Sequence, residues 1–438
     1  MLKKLHTLRN NLKEPSLNIL NKDILGNNKL KTNRLLSLSA CILAIMLILP
    51  GCGNTDGIDD YATNDVGSNI TSDITGSSQD TKKSSQSSST GKSVPGIPKK
   101  DIKIGVLYLA DPAAGSGYSY THDLGIKGMQ NNLSITDGQV IRKTDIDESD
   151  VAAAGKAIDE CIEEGCNIIF TTSWGYMDIT EQKAEQYPDV YFFHGTGYKS
   201  NGKNFSNYFG RIYQARYLSG IVAGMNTKSN KIGYVAAMDS SNSEVTGGID
   251  AFAIGVAAVN TDAVVYVNIT NSWYDPEKEK AASKKLLDIG CDVMAQHCDT
   301  QYPQTMAQER GCYGIGYNSD MGKDTPDSCL CSVIWNWSAY YTSIVESIID
   351  GTYNGGNYYG GMEEGLVDIT KLADFCAEGT EEKVEEERAK ILSGEFNVFD
   401  GEIETNTGKI IGSPGSTLDD GTITGGINWY YKNVKVAD

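Results

Sequence analysis

From residue 101 onward the chain alternates short, continuous apolar runs with longer stretches of helical period. The runs at 102–109 (IKIGVLYL), 167–171 (NIIFT) and 190–194 (VYFFH) are rich in β-branched and aromatic residues and too short for helices, so they predict buried strands. Between and after them, 121–133, 152–163, 179–187 and 211–225 predict helices. The scheme then restarts: strand 231–236 (KIGYVA), helix 245–259, strand 263–269 (AVVYVNI), helix 276–289, strand 293–296, helix 305–310 and strand 313–317 (YGIGY). Strands alternating with helices imply parallel sheets covered on both faces. Two similar runs, headed by IKIGV and KIGYV, predict an α/β protein of two lobes with a hinge between them. Residues 100–228 form the first lobe, to which about 336–375 return, and 229–335 the second, with part of about 376–438. Ligands of open parallel sheets sit off the carboxyl ends of the strands. Two lobes face to face share one such cleft, so the residues just after each strand are the ones to inspect.

The segment before residue 101 has a different grammar. Lys3, Lys4, Arg9, Lys13 and Arg34 precede an uncharged apolar run at 35–49, short for a membrane-spanning helix and suited to a signal-peptide core. Leu49-Pro50-Gly51-Cys52 follows and resembles the bacterial lipobox, with proline a mild departure in its second slot. Residues 1–52 therefore read as a lipoprotein signal peptide ending at a lipidated Cys52. Residues 53–99, rich in Ser, Thr, Gly, Asp and Asn, read as a flexible tether, since such a stretch buries too little apolar surface to order itself. The expected location is the outer face of the cell membrane.

Charge sharpens this division. The first 52 residues hold eight Lys/Arg and two Asp/Glu, whereas the whole chain carries a net charge of −19, so the exported body is strongly acidic. Nucleic acid polymers need clustered basic residues and are excluded as partners. The ten cysteines do not form a disulfide framework: eight are scattered through the body, where free cysteine serves as a small core hydrophobe. Cys329 and Cys331 are too close for the usual zinc pair, and their alternation reads as one face of a strand.

Five segments together carry a family resemblance: GRIYQARYLSGIVAGM (210–225), KIGYVAAM (231–238), NSWYDPEKE (271–279), GYNSDM (316–321) and VIWNWSAYY (333–341). With them the chain resembles the basic membrane protein family of ABC-importer binding lipoproteins over roughly 103–431. The resemblance implies a type I periplasmic-binding fold, a purine base or nucleoside as ligand, and an ABC permease as partner of a monomeric binding protein. The loop Gly117-Tyr118-Ser119-Tyr120-Thr121-His122-Asp123-Leu124-Gly125 is similar to that of the branch binding free purine bases, adenine in particular. Nucleoside-binding relatives have a lysine near Trp335 and a Gly-Gly turn near Cys298 and Asp299. Both differ here, which favours a base over a nucleoside.

The strand ends are aromatic: Tyr118 and Tyr120 after the first strand, Trp174 and Tyr176 after the second, Trp273 after VVYVNIT, Trp335 and Trp337 after SVI. Aromatic faces stack on flat, nitrogen-rich rings and exclude water, at roughly 1–3 kcal/mol per stacked base. Trp273 is expected as one wall of a sandwich, Tyr118 or Tyr120 as the other, and Trp174 as its floor. Asp299, Asn318 and Asp320 follow strands and supply acceptors, while His122 and His194 offer ring nitrogens. Turn-capping is the plain structural alternative for Asp320, a helix-start role for His122, and a core role for His194. His297 reads as structural, and the 211–225 helix as scaffold, with Arg211 and Arg216 bracing loops and small residues spaced for close helix–sheet packing. Glu381 to Glu387 reads as a solvated helix face.

There is no HExxH, no Walker loop and no Gly-x-Ser-x-Gly elbow, and four histidines make no metal cluster. The expectation is a binding protein without cofactor, metal or catalysis that closes about its ligand. A surface receptor with a vestigial cleft and a nucleoside hydrolase are the rivals from other classes.

Overall fold

The computed structural model describes residues 96–437; the expected signal peptide, most of the expected tether and Cys52 lie outside the described residues. The body is ordered from slightly earlier than the composition suggests: Ile97 N–H already donates to Ile348 O (3.1 Å). The first half runs β1 (Ile104–Leu107), α1 (Gly117–Leu133), β2 (Val140–Lys143), α2 (Val151–Glu163), β3 (Ile168–Thr171), α3 (Met177–Gln186), β4 (Tyr191–Gly195), β5 (Phe205–Gly210) and α4 (Ile212–Asn226). The second runs β6 (Lys231–Ala236), α5 (Ser243–Val259), β7 (Val264–Ile269), α6 (Pro276–Ile289), β8 (Val293–His297), α7 (Tyr302–Glu309), β9 (Tyr313–Asn318) and β10 (Cys329–Trp335). The tail comprises α8 (Trp337–Ile349), β11 (Tyr358–Gly360), β12 (Val367–Ile369), α9 (Thr380–Leu392), β13 (Asp400–Glu404), β14 (Ile410–Thr417), α10 (Asp420–Gly425) and β15 (Val434–Val436).

Two parallel sheets result, as the alternation predicts. One has the order β11-β5-β4-β3-β1-β2, the other β12-β10-β9-β8-β6-β7-β15, and β13-β14 form a separate hairpin. Only β12 runs antiparallel within the large sheets, against β10. Strands β1, β3 and β8 are buried along their whole length, which is why they read as unbroken apolar runs. The eight described cysteines are all free, and six of them are buried. A bulge between Cys329 and Cys331 breaks the plain alternation expected there.

The chain crosses between the sheets three times: at Arg211, at Asn336, and between β11 and β12. The crossings correct the expected boundaries. Helix α4, placed with the first lobe by the sequence, packs on α5, α9, β10 and β12 of the second. Within 336–375, α8 packs on α1 and β11 joins the first sheet, but β12 joins the second.

Helix–helix contact, rather than the expected helix–sheet contact, explains the small residues of α4. A Cβ on Gly220 would lie 2.1 Å from Phe252 O, and one on Gly255 would lie 2.1 Å from Tyr217 O. Backbones therefore touch where α4 crosses α5. The same α5 carries Asp250, fully buried, whose carboxylate accepts Tyr431 N–H (2.7 Å) and pins the C-terminal segment. Its other oxygen has no partner. Burial pushes this carboxyl well above its ordinary range, with the Tyr431 hydrogen bond opposing.

Two outcomes are expected. Gly220→Ala must force α4 and α5 apart and destabilise by about 1–3 kcal/mol, read as a lower urea midpoint with an unchanged slope. Because Asp250 binds its proton more tightly folded than unfolded, the stability it contributes is present below the unfolded value of about 3.9 and lost as pH rises through the folded one. Asp250→Asn keeps an acceptor for Tyr431 and removes that loss. Its melting temperature should exceed the parent's by a few degrees at about pH 7.5 and approach it near about pH 4.

Candidate functional site

Parallel strands send their carboxyl ends to one edge, and there the end of β9 and the loop after β8 meet the first turn of α1. The helix starts at Gly117, four residues earlier than its period suggests, so Tyr118 and Tyr120 belong to its first turn instead of a loop. Gly117 has φ +79, and a Cβ there would sit 3.3 Å from Asp299 O of the other half. Thr121 Oγ1 donates to Asn318 O (3.1 Å), and the Lys323 ammonium lies 5.2 Å from the Tyr120 ring centroid. These three contacts join α1 to the loops after β8 and β9.

Asn318 is fully buried and left-handed (φ 68), a conformation asparagine tolerates better than most residues. Its Nδ2 donates to Asp299 Oδ1 (2.7 Å), while its own Oδ1 has no partner. Burial pushes the Asp299 carboxyl up to about 7, with the Asn318 hydrogen bond opposing and the Glu279 charge adding. Trp273 stands beside this pair, half-buried, its backbone carbonyl accepting Asp299 N–H (2.9 Å) and its indole edge-on to His297 (5.7 Å). The structure thus brings together Tyr118, Asp299, Asn318 and Trp273, with Tyr120 at the rim. The Tyr118 hydroxyl is tied back to Thr172 O (2.6 Å), which fixes its ring.

Other expected residues have different roles. The His122 ring is fully buried and stacks on Trp337 (4.4 Å, 16°), with Nδ1 2.7 Å from the Tyr341 hydroxyl; burial pushes it well below its ordinary value, so it is neutral. Trp337 in turn stacks on Trp335 (4.6 Å, 9°), whose Nε1 donates to the Tyr317 hydroxyl (3.2 Å). Trp335 and His122 are therefore the ends of one packed column behind the junction. Trp174 is no floor: it is 55% exposed and pairs with Tyr198, itself 65% exposed. Asp320 is exposed and accepts Gly322 N–H in a turn. His194 is a core residue bonded to Ser173 O (2.7 Å).

Three groups at the junction escaped the sequence reading. Arg216, on the supposed scaffold helix, is fully buried, gives one hydrogen bond to Gln296 O (2.6 Å), and lies 4.1 Å from the Tyr317 ring centroid. Its Nε and Nη2 have no acceptor, and it forms no ion pair among the described residues. His297 Nε2 is likewise unpartnered. Glu244 stands in the first turn of α5, 3.8 Å from that nitrogen. The one available signal was position: Glu244 opens the helix after strand KIGYVA, and in a chain with 57 acidic residues that drew no notice. Among the described residues no three His, Cys, Asp or Glu are placed to hold a metal, and no helix is long and apolar enough to cross a membrane.

Comparison with known proteins gives the family and the fold. A family profile described as ABC transporter substrate-binding protein, PnrA-like, matches residues 102–402. A purine-binding protein of Brucella abortus is 36% identical over 339 residues, 77% of this chain and 93% of that protein. A putative ABC transporter glucose-binding protein of Haloferax volcanii is 34% identical, over 65% of this chain and 71% of its own length. Among solved structures, an ABC transporter solute-binding protein from Conexibacter woesei aligns with TM-score 0.57 at 19% identity, covering 68% of this chain and 98% of that one. A transcriptional activator of the comK gene from Bacillus halodurans aligns at 0.59 with 21% identity, covering 67% and 99%. At such identities the structures speak for the fold alone, the type I periplasmic-binding fold.

Proposed function

This chain belongs to the Bmp family of PnrA-like ABC transporter substrate-binding proteins, and we propose that it captures a free purine base, adenine-like, outside the cell and delivers it to a membrane permease. The observation that carries this reading is the junction itself. A half-buried indole, Trp273, stands beside an unpartnered amide oxygen, Asn318 Oδ1, and a carboxyl, Asp299, whose ionisation burial opposes. A flat heterocycle that stacks on the indole and donates N–H groups satisfies all three at once. The purine-binding relative from Brucella abortus supports the same ligand class.

Capture proceeds by hinge closure. The three crossings at Arg211, Asn336 and between β11 and β12 let the halves turn, and the Thr121–Asn318 and Tyr120–Lys323 contacts belong to the closed form. Two stacking faces and two or three buried hydrogen bonds reach the ~8 kcal/mol of a micromolar complex after ordering costs. Nucleoside-binding relatives have a lysine near Trp335, whose ring here is packed between Phe209 (5.4 Å) and Trp337, and this difference supports a base over a nucleoside. No step of bond making is assigned: the protein binds and releases, as a monomer held at the membrane by lipid on Cys52.

Adenine should raise the melting temperature of the full chain, and adenosine and glucose should not. A shift with adenosine would make the ligand a nucleoside, and one with glucose alone would overturn the purine reading. Trp273→Ala should weaken adenine by about 10- to 100-fold in titration calorimetry, the value of one stacked face; unchanged affinity would remove Trp273 from the site.

A further inference from the structure

Glu244 stands in the first turn of α5, 3.8 Å from His297 Nε2. Its side chain is 24% exposed, and among the described residues it makes no hydrogen bond, since the 3.8 Å to His297 Nε2 exceeds hydrogen-bonding range. The phenols of Tyr118 on α1, Tyr234 on β6, Tyr317 on β9 and Tyr359 on β11 are all pushed up, by burial first and then in part by the Glu244 charge. Two of those tyrosines belong to the first sheet's half and two to the second. Behind Glu244, Arg216 presents two N–H groups without acceptors and His297 a ring nitrogen without a partner, all buried. Buried polar groups in folded proteins are nearly always matched, so a cluster left unmatched on three sides marks a place that something else completes.

We propose that Glu244 is a specificity-determining residue: its carboxyl group, backed by His297 and Arg216, makes two hydrogen bonds to the donor–acceptor edge of a 6-aminopurine. The inference rests on the purine reading above and names what distinguishes one purine from another. A carboxylic acid presents a C=O acceptor and an O–H donor side by side, which matches an exocyclic N–H next to a ring nitrogen. A carboxylate presents acceptors only, which matches the adjacent ring N–H and exocyclic amine of guanine instead. Burial pushes Glu244 up to about 7, with the Arg216 charge pulling it down and the Asp299 charge pushing it up. His297, driven well below its ordinary value by burial and then by Arg216, stays neutral and leaves the choice of proton to the carboxyl. Adenine is therefore favoured below neutrality, and its advantage over guanine shrinks as pH rises past about 7.

The test is calorimetric titration of the full chain with adenine and with guanine at about pH 6 and about pH 8.5, for the parent, Glu244→Gln and Glu244→Ala. Glutamine keeps a donor beside an acceptor and cannot titrate. It should bind adenine within about 3-fold of the parent at the lower pH and lose the pH dependence, whereas alanine should bind about 10-fold or more weakly at that pH. Because Glu244 holds no other side chain, a melting curve like the parent's should accompany both variants. Adenine affinity unchanged by Glu244→Ala, or lost equally by both variants, overturns the inference while Trp273-dependent binding leaves the purine reading intact. A parent chain that binds no purine removes both.

Discussion

An unpartnered polar atom buried in a protein forfeits about 1–3 kcal/mol, so a fold distributes few of them. Here several collect at one edge: Asn318 Oδ1, His297 Nε2, and Nε and Nη2 of Arg216. That concentration depends on the arrangement of the second sheet. Parallel strands bring β6, β8 and β9 to the same edge with their carboxyl ends together, and a left-handed Asn318 turns its amide inward rather than toward water. Stability given up at this edge is recovered in the apolar interiors of the two sheets and in the backbone contact of α4 with α5.

The legible part of the sequence was the part with a local period. Strand β6 and helix α6 fall at the residues their apolar spacing indicates, because each is buried on a consistent face. The crossings were not legible. Which half receives α4, or where β12 pairs, depends on contacts between residues far apart in the chain, such as Val333 with Ile369 in the sheet and Arg216 with Gln296, 80 positions on. The glycines of α4 announced close packing correctly and its partner incorrectly, since spacing reports that a face must be bare but not what lies against it.

The site divided along the same line. Aromatic residues after strands drew attention to Trp273 and Tyr118, which both stand at the junction, and equally to Trp174, which faces solvent. Composition cannot separate the two, because both follow strands and both are large. Asp299 and Asn318 were visible as strand-end polar residues. Glu244 and Arg216 were hidden in opposite ways. One was a single acid among many, and the other was a basic residue inside an apolar helix whose side chain passes beneath the sheet's end. Glu387 repeats the lesson outside the site: in the segment 381–387 read as a solvated helix face, it is the one buried acid, accepting from the Tyr217 hydroxyl (3.1 Å).

The column of rings behind the junction has an optical consequence. Trp335 closes β10 in the second sheet and Trp337 opens α8 against the first half, with Asn336 alone between them, yet their indoles lie 4.6 Å apart and 9° from parallel. Two chromophores that near and that parallel share their electronic excitation, and they sit on either side of one of the chain's crossings between the sheets. On the proposed hinge closure, a rotation of one half on the other would shear the pair and uncouple them, and the two indoles would serve as a spectroscopic gauge of opening.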